Sequence, residues 1–182
     1  VQRNKCKNND DIYVTGNLGD SYLGLLLLRK KLFLKNTQQR KYFIRKYYMP
    51  DLPTKISSKL TKFANSSIDI SDGLFGDLTK LTNTSKLCFR LDVEKIPISS
   101  NLKTYLIKTN KKKINFISKG DDYQILFTSS KTYRRYIKSF FKEMNQKVTL
   151  IGNLTNEIKS HQILYNKNLV KQRYNEGYSH KF

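Results

Sequence analysis

Two short blocks carry the residue types that handle metal-bound phosphate. The first is Ser67-Ile68-Asp69-Ile70-Ser71-Asp72-Gly73-Leu74, and the second is Gly120-Asp121-Asp122-Tyr123. Each sets acidic and small residues on a turn beside a short apolar strand. Carboxylates and a hydroxyl in such a turn supply hard oxygen ligands to Mg²⁺ while phosphates complete the shell. On a strand, residues i and i+2 share a face, so Asp69 and Ser71 project together if the strand reaches Ser71. Asp72 then falls at the start of the next helix, where free N–H groups and the dipole favour anions. Spacing alone favours an ordinary helix cap at Asp72 with a solvated Asp69, because capping is so common. Asp121 and Asp122 repel each other and are costly to bury without a cation or donor between them. The plain alternative is an exposed Asp-Asp turn.

These blocks need elements to hold them. Ile12-Tyr13-Val14 reads as a strand running into a glycine-bearing turn, and Asp20 or Ser21 caps a helix through Leu28. Residues 37–47 read as a second helix, Pro50 and Pro53 break the chain, and 56–64 read as a short helix. Ser67 to Ile70 is a buried strand. Apolar residues at 74, 75, 78 and 81 then give helical spacing. Further strands are expected at 87–91, 125–127 and 148–151, the last ending at Gly152, with helices at 100–109 and 132–144. Residues 153–182 are polar with a few strand-like pieces. Strands and helices interleave, which predicts one α+β domain over 1–182: a mixed β-sheet flanked by helices.

Composition narrows the function classes. A chain of 182 residues fits one domain with a core of its own. Cys6 and Cys88 are its only cysteines, too far apart in sequence for a C-x-x-C site, which suits a reducing, cytoplasmic setting. The longest apolar run, Leu23 to Leu28, falls well short of the ~20 residues that span a bilayer, so no membrane partner is expected. No leader peptide is visible; the chain starts at Val1, as a fragment, a processed product or a non-standard start would. The net charge of +21 invites a nucleic-acid reading. Against it, 27 of the 35 basic residues are lysine, scattered among abundant Asn, Ile, Tyr and Phe. All five types are favoured by AT-rich codons, so base composition accounts for the excess and nucleic acid is not the expected partner.

The ordered set of motifs resembles the C-terminal portion of the thiamine-monophosphate kinase family, within the aminoimidazole-ribonucleotide-synthetase-like superfamily. The matching pieces are Ile12-Tyr13-Val14-Thr15-Gly16 with Leu18-Gly19-Asp20-Ser21; Asp69-Ile70-Ser71-Asp72-Gly73-Leu74 with Asp77-Leu78; Gly120-Asp121-Asp122-Tyr123; Ile151-Gly152; and Gly177-Tyr178-Ser179-His180 with Phe182. The resemblance implies ATP-dependent phosphorylation of thiamine monophosphate to thiamine diphosphate with several Mg²⁺ ions. It implies Asp69 and Asp72 as metal ligands, Arg3 and Ser71 as ATP contacts, and Asp121 and Tyr178 as substrate contacts. It also implies a homodimer and an N-terminal half, lying outside this chain, that completes the site. The alternatives are an inactive remnant of such a kinase or a basic nucleic-acid-binding module. Departures from the family pattern are Asn4 to Asp10 in place of a small-Gly-small stretch, Lys119 for glycine, Asp121 and Gln124 for glutamates, and Lys181 near the end.

Overall fold

Residues 1–166 and 168–170 are described by the computed structural model. Seven strands form one sheet: β1 (Asp11–Thr15), β2 (Ser66–Asp69), β3 (Cys88–Asp92), β4 (Ile125–Ser129), β5 (Val148–Thr155), β6 (Gln162–Tyr165) and β7 (Asn168–Leu169). Their order is β2-β4-β1-β5-β3-β6-β7. The β3–β6 pair is parallel and the other pairs are antiparallel, so the sheet is mixed. The expected class, a mixed sheet flanked by helices, is what forms.

Side-chain alternation explains why the sheet is covered on both faces. On β1, Ile12 and Val14 point into one cluster and Tyr13 into another, and all five strand residues are buried. The first cluster takes helix α4 (Leu74–Asn83), whose Leu74, Leu78 and Leu81 pack against Ile12, Ile68 and Leu126. Three leucines so buried contribute about 1.5–3 kcal/mol each by transfer from water. The second cluster is aromatic. The rings of Tyr13 and Phe127 stack at 5.1 Å, and Phe127 stacks at 6.0 Å on Phe141 from the helix 134–143. A third cluster joins helix α1 (Asp20–Leu28) and helix α2 (Thr37–Tyr48) to helix α5 (Ser100–Thr109) through Leu23, Phe43 and Leu102.

Four local expectations change. Strand β2 ends at Asp69, so Asp69 and Ser71 do not share a strand face. The 56–64 stretch splits into a single helical turn, α3 (Thr54–Ser57), and a 3₁₀ turn, Leu60–Lys62. Strand β5 runs through Gly152 to Thr155, because Gly152 is paired on both sides, with Ile12 and with Leu91. The register shifts between Ile12 and Tyr13, which face Gly152 and Leu150, so Ile151 bulges. A further helical turn, Ile114–Ile117, was not expected; it inserts Ile114, Phe116 and Ile117 into the core. Among the described residues no helix is long and apolar enough to cross a membrane.

One buried charge ties the sheet to the helix 134–143. Asp11 is 1% exposed by its side chain, and Arg134 grips it with Nε at 2.6 Å and Nη2 at 2.8 Å. Removing one partner strands the other as a buried charge. Arg134→Ala is expected to lower unfolding free energy by about 2–3 kcal/mol in urea titrations. Lys at 134 restores only part of that, since an ammonium cannot reproduce the two-pronged grip.

Candidate functional site

The site grows from the strand–turn–helix β2–α4. After Asp69, the Ile70 N–H donates to the Gln124 carbonyl at 2.8 Å and the Ile70 carbonyl accepts from the Tyr123 N–H at 2.9 Å. The Asp121 N–H then donates to the Ser71 carbonyl at 3.0 Å. The two acidic blocks are thereby zipped together, backbone to backbone. Glycine is what lets them meet. A Cβ at Gly120 would lie 1.8 Å from the Ser71 oxygen, and one at Gly73, which sits at φ +114°, would lie 2.3 Å from the Ser118 oxygen. Neither contact is compatible with a side chain.

The turn's amides do not wait for an outside anion. Asp77 is 0% exposed, and its Oδ2 accepts from the N–H groups of Ser71, Asp72 and Gly73 at 3.0, 2.9 and 3.1 Å. The amides of the turn that leads into α4 are therefore already used, and the expected cap at Asp72 is overturned, because the residue at the helix cap is Gly73. Asp72 is free of capping duty and half-exposed. Sequence reading missed Asp77; the available signal was an acid in the first helical turn directly after a tight turn.

Each surface carboxylate then finds a cation. Arg3 Nη2 lies 3.8 Å from Asp69, so the expected pair of an ATP-contacting arginine and a metal-binding aspartate is brought together. Lys80, also not anticipated, bonds Asp72 and reaches Asp77 Oδ1 at 3.0 Å. The Asp72 bond holds the Lys80 ammonium up, with burial opposing and Asp77 adding to the rise. Asp121 sits at φ +68° beside Asp72. Burial first, and then the Asp72 charge, push its carboxyl above the ordinary range, while Arg29 opposes. Asp121 and Asp72 are therefore a like-charged pair that a cation would relieve.

The adjacent acids of the second block part company. Asp122 turns inward, 4% exposed, and accepts from the Gly19 N–H at 2.7 Å and the Ser21 N–H at 3.4 Å, closing the start of α1. Asp20 is likewise internal, bonded by Tyr42 Oη at 2.8 Å and Ser99 Oγ at 2.7 Å. Gln124, where the family pattern has glutamate, accepts from Thr15 Oγ1 at 2.8 Å and donates to the Asp51 carbonyl at 2.8 Å. These are scaffold contacts.

Burial pushes the Asp122 carboxyl up to about 8, against the Gly19 and Ser21 amides and with help from the Asp20 charge. An unfolded aspartate titrates near 4, so below that pH both states hold the proton. From there to about 8 only the folded chain holds it, and stability falls as pH rises, by at most about 1.4 kcal/mol per pH unit. Asp122→Asn keeps an acceptor for Gly19 without the proton. Its unfolding midpoint in urea is expected to gain on the parent chain steadily between pH 5 and pH 8.

The donor set suits a hard divalent cation in part. Asp69, Asp72 and Asp121 offer carboxylate oxygens at one edge of the sheet. Among the described residues no group of three or more His, Cys, Asp or Glu is arranged to hold an ion on its own. Tyr178 lies outside the described residues.

No family model matches the chain. The thiamine-monophosphate kinase of Buchnera aphidicola subsp. Schizaphis graminum is 37% identical over 168 residues, covering 92% of this chain and 52% of that protein. Among solved structures, AaThiL complexed with AMPPCP and TMP has a TM-score of 0.76 at 29% identity, over 95% of this chain and 52% of that one. The thiamine-monophosphate kinase of Stenotrophomonas maltophilia K279a shares the fold, with a TM-score of 0.79 at 24% identity over 93% of this chain and 54% of its own. The chain spans about half the length of the curated relatives it matches. Likeness over nearly all of this chain, in sequence and in fold, makes it a relative of the thiamine-monophosphate kinases that matches their C-terminal half.

Proposed function

We propose that the chain acts as the C-terminal domain of an ATP-dependent kinase that converts thiamine monophosphate to thiamine diphosphate. The observation that carries the reading is the backbone zipper between the two acidic blocks, which sets Asp72 and Asp121 side by side. In the reaction a phosphate oxygen of thiamine monophosphate attacks the γ-phosphorus of ATP, the bond to the β-phosphate oxygen breaks, and ADP leaves. The attacking oxygen is already anionic, so positioning and charge neutralisation matter more than a strong base. Mg²⁺, when bound, supplies the neutralisation between the two phosphates.

The chain's own residues divide the work. Asp69 and Asp72 would hold Mg²⁺, with Arg3 and Ser71 Oγ on the ATP phosphates. Asp121 would orient the acceptor, and Tyr178 would lie against the cationic ring of the substrate. With the amides of residues 71–73 occupied by Asp77, phosphate at this turn would be held through cations and side chains rather than by those amides. The other half of the kinase would complete the metal and ATP contacts and supply the homodimer interface. Free Cys6 and Cys88 and an ATP co-substrate agree with a cytoplasmic enzyme.

The test joins this chain to the N-terminal half of the Buchnera aphidicola relative and assays thiamine diphosphate by chromatography. Turnover is expected in the joined protein, and about a 100-fold loss in its Asp72→Asn variant, the scale of losing one contact that stabilises transition-state charge. A folded, joined protein that makes no thiamine diphosphate would refute the reading.

A further inference from the structure

The lysines are not evenly scattered once the chain is folded. A groove of about 550 Å³ opens between the segment after β3, helix α5 and the strands β5 and β6. The acidic turns follow β2 and precede β4, the two strands at the other end of the strand order. Five lysines line the groove, Lys95, Lys103, Lys111, Lys113 and Lys147, against one acid, Glu94. Two of them are held by neutral acceptors. Lys113 Nζ donates to the Glu94 backbone carbonyl at 3.1 Å, and Lys147 Nζ donates to Asn17 Oδ1 at 2.6 Å. An ammonium has three donors, so each retains two for a ligand. Lys95 is paired with Asp92 at 3.4 Å.

Lys113 feels its charged neighbours. Burial lowers the Lys113 ammonium first; Glu94 and Asp92 oppose that, and Lys147 and Lys103 push it lower still. Three ammonium groups face one concavity, where an anion could bridge them, and a low-dielectric wall focuses their field. The wall is apolar where the lysines are not. Ile107, 72% exposed, stands beside Leu106 and Tyr165. The volume lies in the range of small-molecule sites, about 300–1,000 Å³.

We infer that this groove binds a small organic polyanion of nucleotide size, its phosphates on Lys103, Lys113 and Lys147 and its ring against Ile107. The assignment does not depend on the kinase reading, since no residue of the acidic turns takes part.

The experiment titrates the full chain calorimetrically with inorganic tripolyphosphate and with uridine diphosphate, in 150 mM salt and excess chelator to exclude metal-dependent binding. Lysine acylation read by mass spectrometry provides a map that needs no variant. One-to-one binding is expected, tighter for uridine diphosphate than its charge alone would give. Lys103→Gln/Lys113→Gln should weaken it at least tenfold, while the control Lys41→Gln/Lys59→Gln, at exposed positions elsewhere, changes it less than twofold. Acylation should be blocked at Lys103, Lys111, Lys113 and Lys147. Equal loss in both variants, or protection spread over all surface lysines, would overturn the site in favour of generic charge. Affinity for single-stranded RNA that climbs with length past the groove's size would overturn it in favour of a nucleic-acid track.

Discussion

Replacing Asp77 with alanine is expected to cost about 3–5 kcal/mol of folding stability, among the largest effects of any single change here. The reason is local and countable. Three backbone N–H groups converge on one buried carboxylate oxygen, and Lys80 bonds the other. Truncation leaves those donors without partners beneath α4, each costing about 1–3 kcal/mol if water cannot reach it. The urea midpoint should fall, and the Tm by about 2–4 °C for each kcal/mol lost in a chain of this size. Asp77→Asn separates charge from shape. It keeps one acceptor oxygen for the amides but places a donor against Lys80, so an intermediate loss is expected. If Asp77→Ala unfolds at the parent's midpoint, the turn is held by something other than Asp77.

The second large effect is at Gly120. Alanine there puts a methyl group 1.8 Å from the Ser71 carbonyl oxygen and 2.7 Å from its carbon, both backbone atoms that no rotamer change can move. The turns must part, which breaks the Asp121 N–H to Ser71 bond and exposes the edge of the core. About 3 kcal/mol or more is expected from overpacking alone. The functional consequence separates this change from Asp77→Ala. Gly120→Ala moves Asp121 away from Asp72, so in the joined protein the KM for thiamine monophosphate should rise even at temperatures where the variant remains folded. An unchanged KM with a lowered Tm would mean that the zipper serves stability alone.

The sequence made the scaffold legible wherever one face of an element was apolar at a fixed period. Leu74, Phe75, Leu78 and Leu81 announced α4, and Ile12-Tyr13-Val14 announced the strand that proves central and buried on both faces. The polar tail showed its strands only as short strand-like pieces without bounds, because the residues of β6 and β7 are half-buried or exposed and so carry weak alternation. Gly152 read as a strand end because glycine punctuates loops, whereas here two neighbouring strands pair with it. The candidate site was legible as a set of residues but not as an arrangement. Asp69-Ile70-Ser71-Asp72 suggested either a metal edge or a helix cap. The structure assigns the amide-binding role to Asp77, five residues beyond Asp72, and thereby leaves the Asp72 carboxylate at the surface with Lys80. Asp121 and Asp122 looked equivalent; a positive φ at Asp121 turns the two carboxyls in different directions, one toward Asp72 and one onto the start of α1. Lys80 and the lysine groove were invisible because nothing in a scattered lysine says which neighbours the fold will give it.

The central claim is that the turn 69–72, closed from within by Asp77, presents carboxylates to metal-bound phosphate. The Mg²⁺ dependence of turnover in the joined protein tests it most directly, comparing the parent with Asp69→Asn and Asp72→Asn at matched Tm. The half-saturating Mg²⁺ concentration is expected to rise at least about tenfold in each variant, the scale of one charge-assisted contact worth about 1.5–3 kcal/mol. The KM for thiamine monophosphate is expected to change little. Identical Mg²⁺ curves for the parent and both variants would contradict the claim.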